Sequence, residues 1–367
     1  MTRVKVAIVG AGWVTENCYL PHLGPDGPLE VAAVHDLDGE RASRVAALLG
    51  LPRPARDLEE CFDSSIRGVV VCTPNHTHLP LVLRALEAGK YVLCEKPVAR
   101  DEEASEALRA TPAAAARLMG SATTRLRRDV ETLLSWVRAG RVGEVQRMRL
   151  GWWRGRGVPA PESWHTDPRA CPAGVLEDLG PHLLDIAAAL LPAAVAASPV
   201  SVEATLECRY GAAGRTAEWY GTADAAAPRA YDIPDYARAR VNLVGGPSVG
   251  LEVCWASEEE GDLPEVVLEG TQGVASLRGL FGFSTSRREP RQVCTLAARG
   301  RATEVLEFTA GPGEQREAFG RSVEAFAQFC AGEAPPVADL HEVLKVASLL
   351  AAVRRHALRS PEVEALA

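Results

Sequence analysis

Val4-Lys5-Val6-Ala7-Ile8-Val9-Gly10-Ala11-Gly12-Trp13-Val14-Thr15 decides the architecture of the N-terminal part of the chain. An apolar run too short for an independent helix passes directly into paired glycines and then into residues that open a helix, so the order reads as buried strand, tight turn, helix. In such a turn the glycines let backbone N–H groups approach a pyrophosphate, and the helix N-terminus adds positive potential where the phosphates lie. Gly10, Gly12, Trp13 and Val14 are the candidate contacts on that side. The third position of this glycine fingerprint is usually Gly or Ala but here is Thr15, whose bulk predicts a helix standing slightly farther from the strand.

Working outward, Leu29-Glu30-Val31-Ala32-Ala33-Val34 is a second strand ending in His35-Asp36, at the distance expected for a ribose-binding acid. Asp36 would accept hydrogen bonds from a ribose 2′-OH and repel a 2′-phosphate, and Leu37 has no means of pairing with that phosphate. NAD is favoured over NADP on these grounds; the alternative is that Asp36 only begins a turn or caps a helix through Ala42–Leu49. Gly68 to Cys72 is a third strand ending in Thr73-Pro74-Asn75-His76-Thr77-His78, Leu79 to Ala88 a helix closed by Gly89, and Tyr91 to Cys94 a strand ending in Glu95-Lys96-Pro97. Strands alternating with helices predict an α/β domain over residues 1–125, a parallel sheet of the Rossmann dinucleotide-binding type, whose ligands bind beyond the carboxyl ends of the strands. The candidate residues sit at those ends.

Residues 126–367 read differently. A helix is predicted over Arg128–Ala139, then strands near Gly143–Leu150, Val200–Tyr210, Ala237–Val244, Val249–Trp255, Val266–Glu269, Val293–Ala297 and Glu304–Phe308, with closing helices at Gln315–Cys330 and Leu340–Arg359. Few helices interrupt the strands, so an α+β substrate-binding and oligomerisation domain with a large, mostly antiparallel open sheet is expected. Apolar residues on both faces of these strands predict a surface in need of cover, and a homodimer or homotetramer interface is the economical cover.

With 367 residues, 47% hydrophobic and 24% charged, the chain has the composition of a globular enzyme of more than one domain. Its net charge of -8 argues against a nucleic-acid partner. Nine scattered cysteines without a Cys-x-x-Cys pair read as reduced core residues of a cytoplasmic protein. No charged-then-apolar leader opens the chain, and the longest apolar stretch, Ile186–Val200, is broken by Pro192 and Pro199, so no membrane span is expected. His76 and His78 lack a third ligand at suitable spacing, and no metal site is expected. The arginines at Arg125, Arg127 and Arg128, and at Arg154 and Arg156, read either as solvated faces or as holders of a substrate phosphate, with Arg125 the candidate substrate contact.

The chemistry centres on Lys96 and on Gly174-Val175-Leu176-Glu177-Asp178-Leu179-Gly180-Pro181-His182. On a helix from about Leu176, Asp178 and His182 share a face. A lysine, a carboxylate and an imidazole suit moving a proton on and off an alcohol oxygen while hydride moves to or from a nicotinamide. Either Lys96 or His182 can be the proton carrier, Lys96 also stabilising developing negative charge, with Asp178 orienting the histidine or a substrate hydroxyl. Trp152, Trp153 and Trp164 offer flat faces for a sugar ring, or serve core and interface packing.

These motifs together resemble the glucose-fructose oxidoreductase, inositol dehydrogenase and MocA family of nicotinamide-dependent enzymes. The resemblance runs almost end to end and rests on Gly10-Ala11-Gly12, Asp36, Thr73-Pro74-Asn75 with His78, the stretch Ala88–Pro97 and Gly174–Asp185. It implies that Lys96, Asp178 and His182 are the catalytic set, that Thr73, Pro74, Asn75, His78, Glu95 and Lys96 line the cofactor, and that the bond before Pro97 is cis. Trp164-His165-Thr166-Asp167-Pro168 resembles a family loop at the substrate entrance, which makes Trp164, His165 and Trp153 candidate substrate contacts. One departure is Cys171-Pro172-Ala173-Gly174, where the family commonly has a glycine run. The expected activity is hydride transfer between nicotinamide and a secondary alcohol or ketone of a sugar, cyclitol or aminocyclitol. The alternatives are reduction of a nucleotide-linked keto-sugar or an imine, and a non-catalytic dinucleotide and sugar sensor.

Overall fold

The computed structural model describes residues 3–155, 157–159, 163–190, 199–211, 231–258, 261–279, 282, 288–309 and 312–358. Arg156, Arg359 and most of the Ile186–Val200 stretch lie outside them. The chain divides into two compact units, 1–126 with 316–347, and 127–315 with 348–367. Residues 316–347, grouped by the sequence with the second domain, therefore belong to the first unit.

In the first unit β1 (Val4–Val9), β2 (Leu29–His35), α1 (Gly39–Leu48), β3 (Gly68–Val71), α2 (His78–Glu87), β4 (Tyr91–Cys94), α3 (Glu102–Arg109), α4 (Pro112–Arg117) and β5 (Leu118–Gly120) follow one another. The five strands form a sheet in the order β2-β1-β3-β4-β5, and every pairing is parallel. The order reverses between β1 and β3, which is where such sheets hold a ligand. Strands buried on both faces need continuous apolar sequence, and the core joins Val69, Val71 and Val92 to Val82, Ala85 and Leu86 of α2. Val343 and Ala347 complete that core, and the Gly120 N–H donates to the Ala338 carbonyl at 2.9 Å, which explains the assignment of 316–347.

The second unit contains α5 (Arg128–Arg138), β6 (Val145–Trp153), α6 (Val175–Ala188), β7 (Pro199–Glu207), β8 (Tyr236–Leu243), β9 (Ser248–Cys254), β10 (Leu263–Gly270), β11 (Gly273–Arg278), β12 (Arg291–Ala298) and β13 (Glu304–Thr309). Two helices, α7 (Pro312–Ala331) and α8 (Leu340–Leu358), end the described chain. The eight strands run β13-β12-β11-β10-β6-β9-β8-β7, antiparallel except for the parallel pair β6 and β9. Strand β11 has no counterpart in the sequence reading, because its short Val-Ala-Ser-Leu core lies between turn residues and shows little alternation.

Helix α6 packs on β6, β8 and β9, and α5 packs on β11 and β12. Met148, Leu150 and Trp152 of β6, with Val249, Leu251 and Val253 of β9, are buried on that side. The other face does not match the expectation of apolar residues on both sides. It carries cross-strand ion pairs of Arg147 and Arg149 with Glu269, each at 3.4 Å, and of Arg278 with Glu265 at 3.1 Å, together with an Arg291–Glu307 pair. No helix among the described residues is long and apolar enough to cross a membrane.

Candidate active site

The glycine turn is built by close approach. Gly10 has φ of 101°, and a Cβ there would lie 2.6 Å from the Cys72 carbonyl carbon at the end of β3, so only glycine fits. Thr15 is fully buried, and its hydroxyl donates to the Gly10 carbonyl at 2.6 Å, a bond that Gly or Ala lacks. Its bulk is thus accommodated by a hydrogen bond. The segment after the turn is not a regular α-helix: Thr15–Tyr19 is a π-turn and Leu20–His22 a 3₁₀ turn. At Gly12 a Cβ would meet nothing within 4 Å, which leaves open space beside backbone N–H groups. Trp13 is exposed and Val14 half-buried on the same turn.

Asp36 ends β2 with its carboxylate reaching the glycine turn. Its Oδ2 accepts from the Ala11 N–H at 2.6 Å and its Oδ1 from the Asp38 N–H at 2.8 Å. The carboxylate does begin a turn, yet the cap of α1 is Asp38, which accepts from the Glu40 and Arg41 N–H groups, and the helix starts at Gly39 rather than Ala42. Leu37 is 97% exposed beside it. An open glycine turn flanked by a half-buried carboxylate and an exposed apolar side chain fits a dinucleotide's pyrophosphate and adenosine ribose.

The ends of β3 and β4 are tied together by His78. Its ring nitrogens face two carbonyl oxygens, Nδ1 that of Pro97 at 2.8 Å and Nε2 that of Thr73 at 2.7 Å. Burial pushes the imidazole below its ordinary range, and nearby Lys96 acts in the same direction, against the pull of the two carbonyls and Glu95. His78 therefore joins Thr73-Pro74-Asn75 to the Lys96-Pro97 bond, which is cis as the family resemblance implies. The Thr77 hydroxyl donates to Thr73 Oγ1 at 2.7 Å, and Asn75 is buried.

Glu95 is also a structural hub. The Tyr19 and Ser121 hydroxyls each donate to Oε1 at 2.8 Å, and the Lys96 N–H donates to Oε2 at 3.2 Å. Burial, then the Glu95 charge, raises the Tyr19 phenol far above its usual value and keeps it a donor. Lys90 in the Ala88–Pro97 stretch donates to the Asp63 and Ile66 carbonyls at 2.6 and 2.7 Å, anchoring the loop before β4. Arg125 is buried in an ion pair with Glu342 at 2.7 Å.

In the second unit, α6 carries Asp178 and His182 one turn apart, and all but His182 and Asp185 of its 14 residues are buried. Gly174 precedes it with φ 48° and ψ −118°, and a Cβ there would lie 2.1 Å from the Pro234 carbonyl oxygen, which accepts from the Val175 N–H at 2.9 Å. That contact sets where the helix begins. Asp178 is 4% exposed, and its Oδ2 accepts from the Trp255 indole N–H at 3.0 Å.

The aromatic residue beside His182 is Trp152, with ring centroids 5.7 Å apart. Trp153 alternates to the opposite face of the sheet, where its indole N–H donates to Glu252 at 3.1 Å, and does not join Asp178 and His182. Trp164 and His165 stack on each other at 3.7 Å in a 3₁₀ turn. Arg127 and Asp129 form a fully buried pair at 2.9 Å, so the arginine cluster is neither a solvated face nor a phosphate clamp at that position. Sequence reasoning passes over Trp255, Tyr19 and Ser121 as site residues, because each acts through a partner distant in the chain. Among the described residues no group of three His, Cys, Asp or Glu is arranged to hold a metal ion.

Residues 4–120 match the sequence model of an oxidoreductase family with an NAD-binding Rossmann fold, GFO/IDH/MocA, and residues 130–276 match the GFO/IDH/MocA C-terminal domain. The chain is similar to a putative UDP-kanosamine synthase oxidoreductase subunit of Amycolatopsis mediterranei, 32% identical over 82% of each chain. It is also similar to D-glucoside 3-dehydrogenase of Escherichia coli, 27% identical over 98% of this chain and 97% of the relative. In fold it resembles levoglucosan dehydrogenase solved with NADH and levoglucosan, at a TM-score of 0.77, 19% identity and 98% coverage of both chains. Taken with the parallel sheet and the glycine turn, these matches show that the chain belongs to the GFO/IDH/MocA family and is an NAD(P)-dependent oxidoreductase.

Proposed function

We propose that the enzyme moves hydride between NAD(H) and a secondary alcohol or ketone of a sugar, cyclitol or aminocyclitol, with Lys96, Asp178 and His182 handling proton and charge. The observation that carries this reading is α6: a helix buried almost throughout keeps His182 accessible, one turn after a hydrogen-bonded Asp178. Burying Asp178 carries a desolvation cost, and an accessible imidazole one turn after it supports a role for the pair in chemistry at the imidazole. In the oxidation direction the hydroxyl proton leaves either to His182, with protonated Lys96 donating to the same oxygen and stabilising its developing negative charge, or to Lys96 itself starting as the neutral amine. The bound nicotinamide supplies the hydride acceptor or donor. Gly10, Gly12, Trp13, Val14, Asp36, Thr73, Pro74, Asn75, His78, Glu95 and Lys96 are assigned to its site, in several cases through the backbone they shape.

Asp36 and exposed Leu37 support NAD over NADP, since a carboxylate at the ribose repels a 2′-phosphate. NADH is expected to bind at least about tenfold more tightly than NADPH, and Asp36→Ser to narrow the gap. Trp152, Trp164 and His165 are proposed to face the sugar, Trp152 in place of Trp153. The A. mediterranei relative, named for a UDP-linked sugar, favours a second reading in which the substrate carries a nucleotide diphosphate. The pairing of Arg125 with Glu342 and of Arg127 with Asp129 leaves that reading without those two arginines as phosphate ligands. We assign the protein to the cytoplasm, supported by nine free thiols, and to a homodimer or homotetramer. A screen of sugars, polyols and aminocyclitols with NAD, read as NADH absorbance and repeated with UDP or TDP as competitor, tests the substrate class. Turnover of a free sugar without nucleotide competition supports the first reading, and competition supports the second.

A further inference from the structure

We propose that Trp255 is a positioning residue whose indole N–H fixes the Asp178 carboxylate in its reactive orientation. The inference rests on the catalytic reading of Asp178 given above. The terminal torsion of an aspartate is broad, so burial alone does not choose where its two oxygens point. A donor held rigidly nearby does. Trp255 lies just after β9, is 0% exposed, and places Nε1 at 3.0 Å from Asp178 Oδ2. The indole has one donor and no acceptor, so in this contact Asp178 Oδ2 can only accept.

The indole is itself held. The Trp255 backbone N–H donates to the Asp235 carbonyl at 2.9 Å, and the Asp235 carboxylate, fully buried, gathers the N–H groups of Arg209, Tyr210 and Gly211 and the Tyr231 hydroxyl at 2.8 to 2.9 Å. The residue before Asp235 is Pro234, whose carbonyl receives the Val175 N–H and abuts Gly174. One short segment, Pro234-Asp235, therefore sets both the start of α6 and the indole that reaches Asp178 one turn in. Rigid support of this kind is what keeps a reacting group within a productive geometry.

The test replaces Trp255 with Phe and, to keep the bicyclic volume, with β-(3-benzothienyl)alanine, in which sulfur stands in place of the N–H. Both are made in the wild-type and Asp178→Ala backgrounds of the full chain. A hydrogen bond to a charged group lost from the site is expected to lower kcat roughly tenfold or more, with NADH affinity and KM changed less than about twofold and with no further loss in the Asp178→Ala background. Wild-type kcat in the benzothienyl variant overturns the proposal, as does a Trp255→Phe loss that is equally large without Asp178. If Asp178→Ala alone keeps wild-type turnover, the catalytic reading of Asp178 falls, and this proposal with it. A defective Asp178→Ala beside an unimpaired benzothienyl variant overturns the positioning role only.

Discussion

Glu95 beside Lys96 and Asp178 before His182 are both buried carboxylates next to a proposed proton carrier, and they are anchored by different means. Glu95 receives two hydroxyls and the Lys96 N–H at the ends of neighbouring parallel strands, where strand register already fixes the backbone. Asp178 sits on a helix whose start depends on the junction of Gly174 with Pro234, and it is oriented by an indole 77 positions later in the chain. Placement by sheet register tolerates the loss of one side-chain bond. Placement by a helix junction does not, because displacing the helix moves Asp178 and His182 together.

The largest expected effect is therefore at that junction. Gly174→Ala puts a methyl group against the Pro234 carbonyl in a backbone region foreign to alanine, and should cost about 3 kcal/mol in urea unfolding and at least about 10²-fold in turnover. Retained activity would mean that α6 is not held there. The next contrast lies within the glycine turn. Gly10→Ala should destabilise by about 2 kcal/mol because it meets the Cys72 backbone, whereas Gly12→Ala should leave stability within about 0.5 kcal/mol and weaken NADH binding roughly tenfold, as read by calorimetry. Equal destabilisation by the two would assign Gly12 a structural role.

Smaller effects sharpen the strand-end side. Tyr19→Phe removes one of the donors to Glu95, and with Ser121 and the Lys96 N–H still in place turnover should fall less than about fivefold, a cost near 1 kcal/mol. His78 gives a pH signature. Burial first, then Lys96, lowers its folded pKa below the unfolded value, so its stabilising contribution is complete above about pH 6.5 and is lost as pH falls from there through the folded pKa. Urea titrations of wild type should show this loss, at most about 1.4 kcal/mol per pH unit, and His78→Gln should flatten it. An unchanged slope in the variant would show that His78 is not held neutral.

The same contrast explains what the sequence discloses. Glycine turn, strand, Asp36 and Glu95-Lys96-Pro97 are local patterns, each closing a strand within a few residues, and the parallel sheet follows from them. The Asp178 and His182 spacing is local to one helix and is legible too. Trp255 and Pro234 carry no such signal, since they matter only through residues brought near by the eight-stranded sheet. Trp152 and Trp153 are adjacent, and only the pairing of β6 with β9 and β10 decides which of them shares a face with α6. The C-terminal segment 316–347 returns to the first unit for a similar reason: its apolar face is evident in the sequence, and the core it completes is not.

The most direct measurement is turnover on an identified sugar or cyclitol substrate by wild type, Lys96→Ala, His182→Ala and the double variant. Each single substitution is expected to lower turnover by about 10²–10⁴-fold, and the double variant to fall no more than about tenfold below the worse single, if both groups serve one substrate oxygen as proposed. Near wild-type turnover in both single variants, or losses that simply multiply in the double, would contradict the assignment of these residues to the reaction.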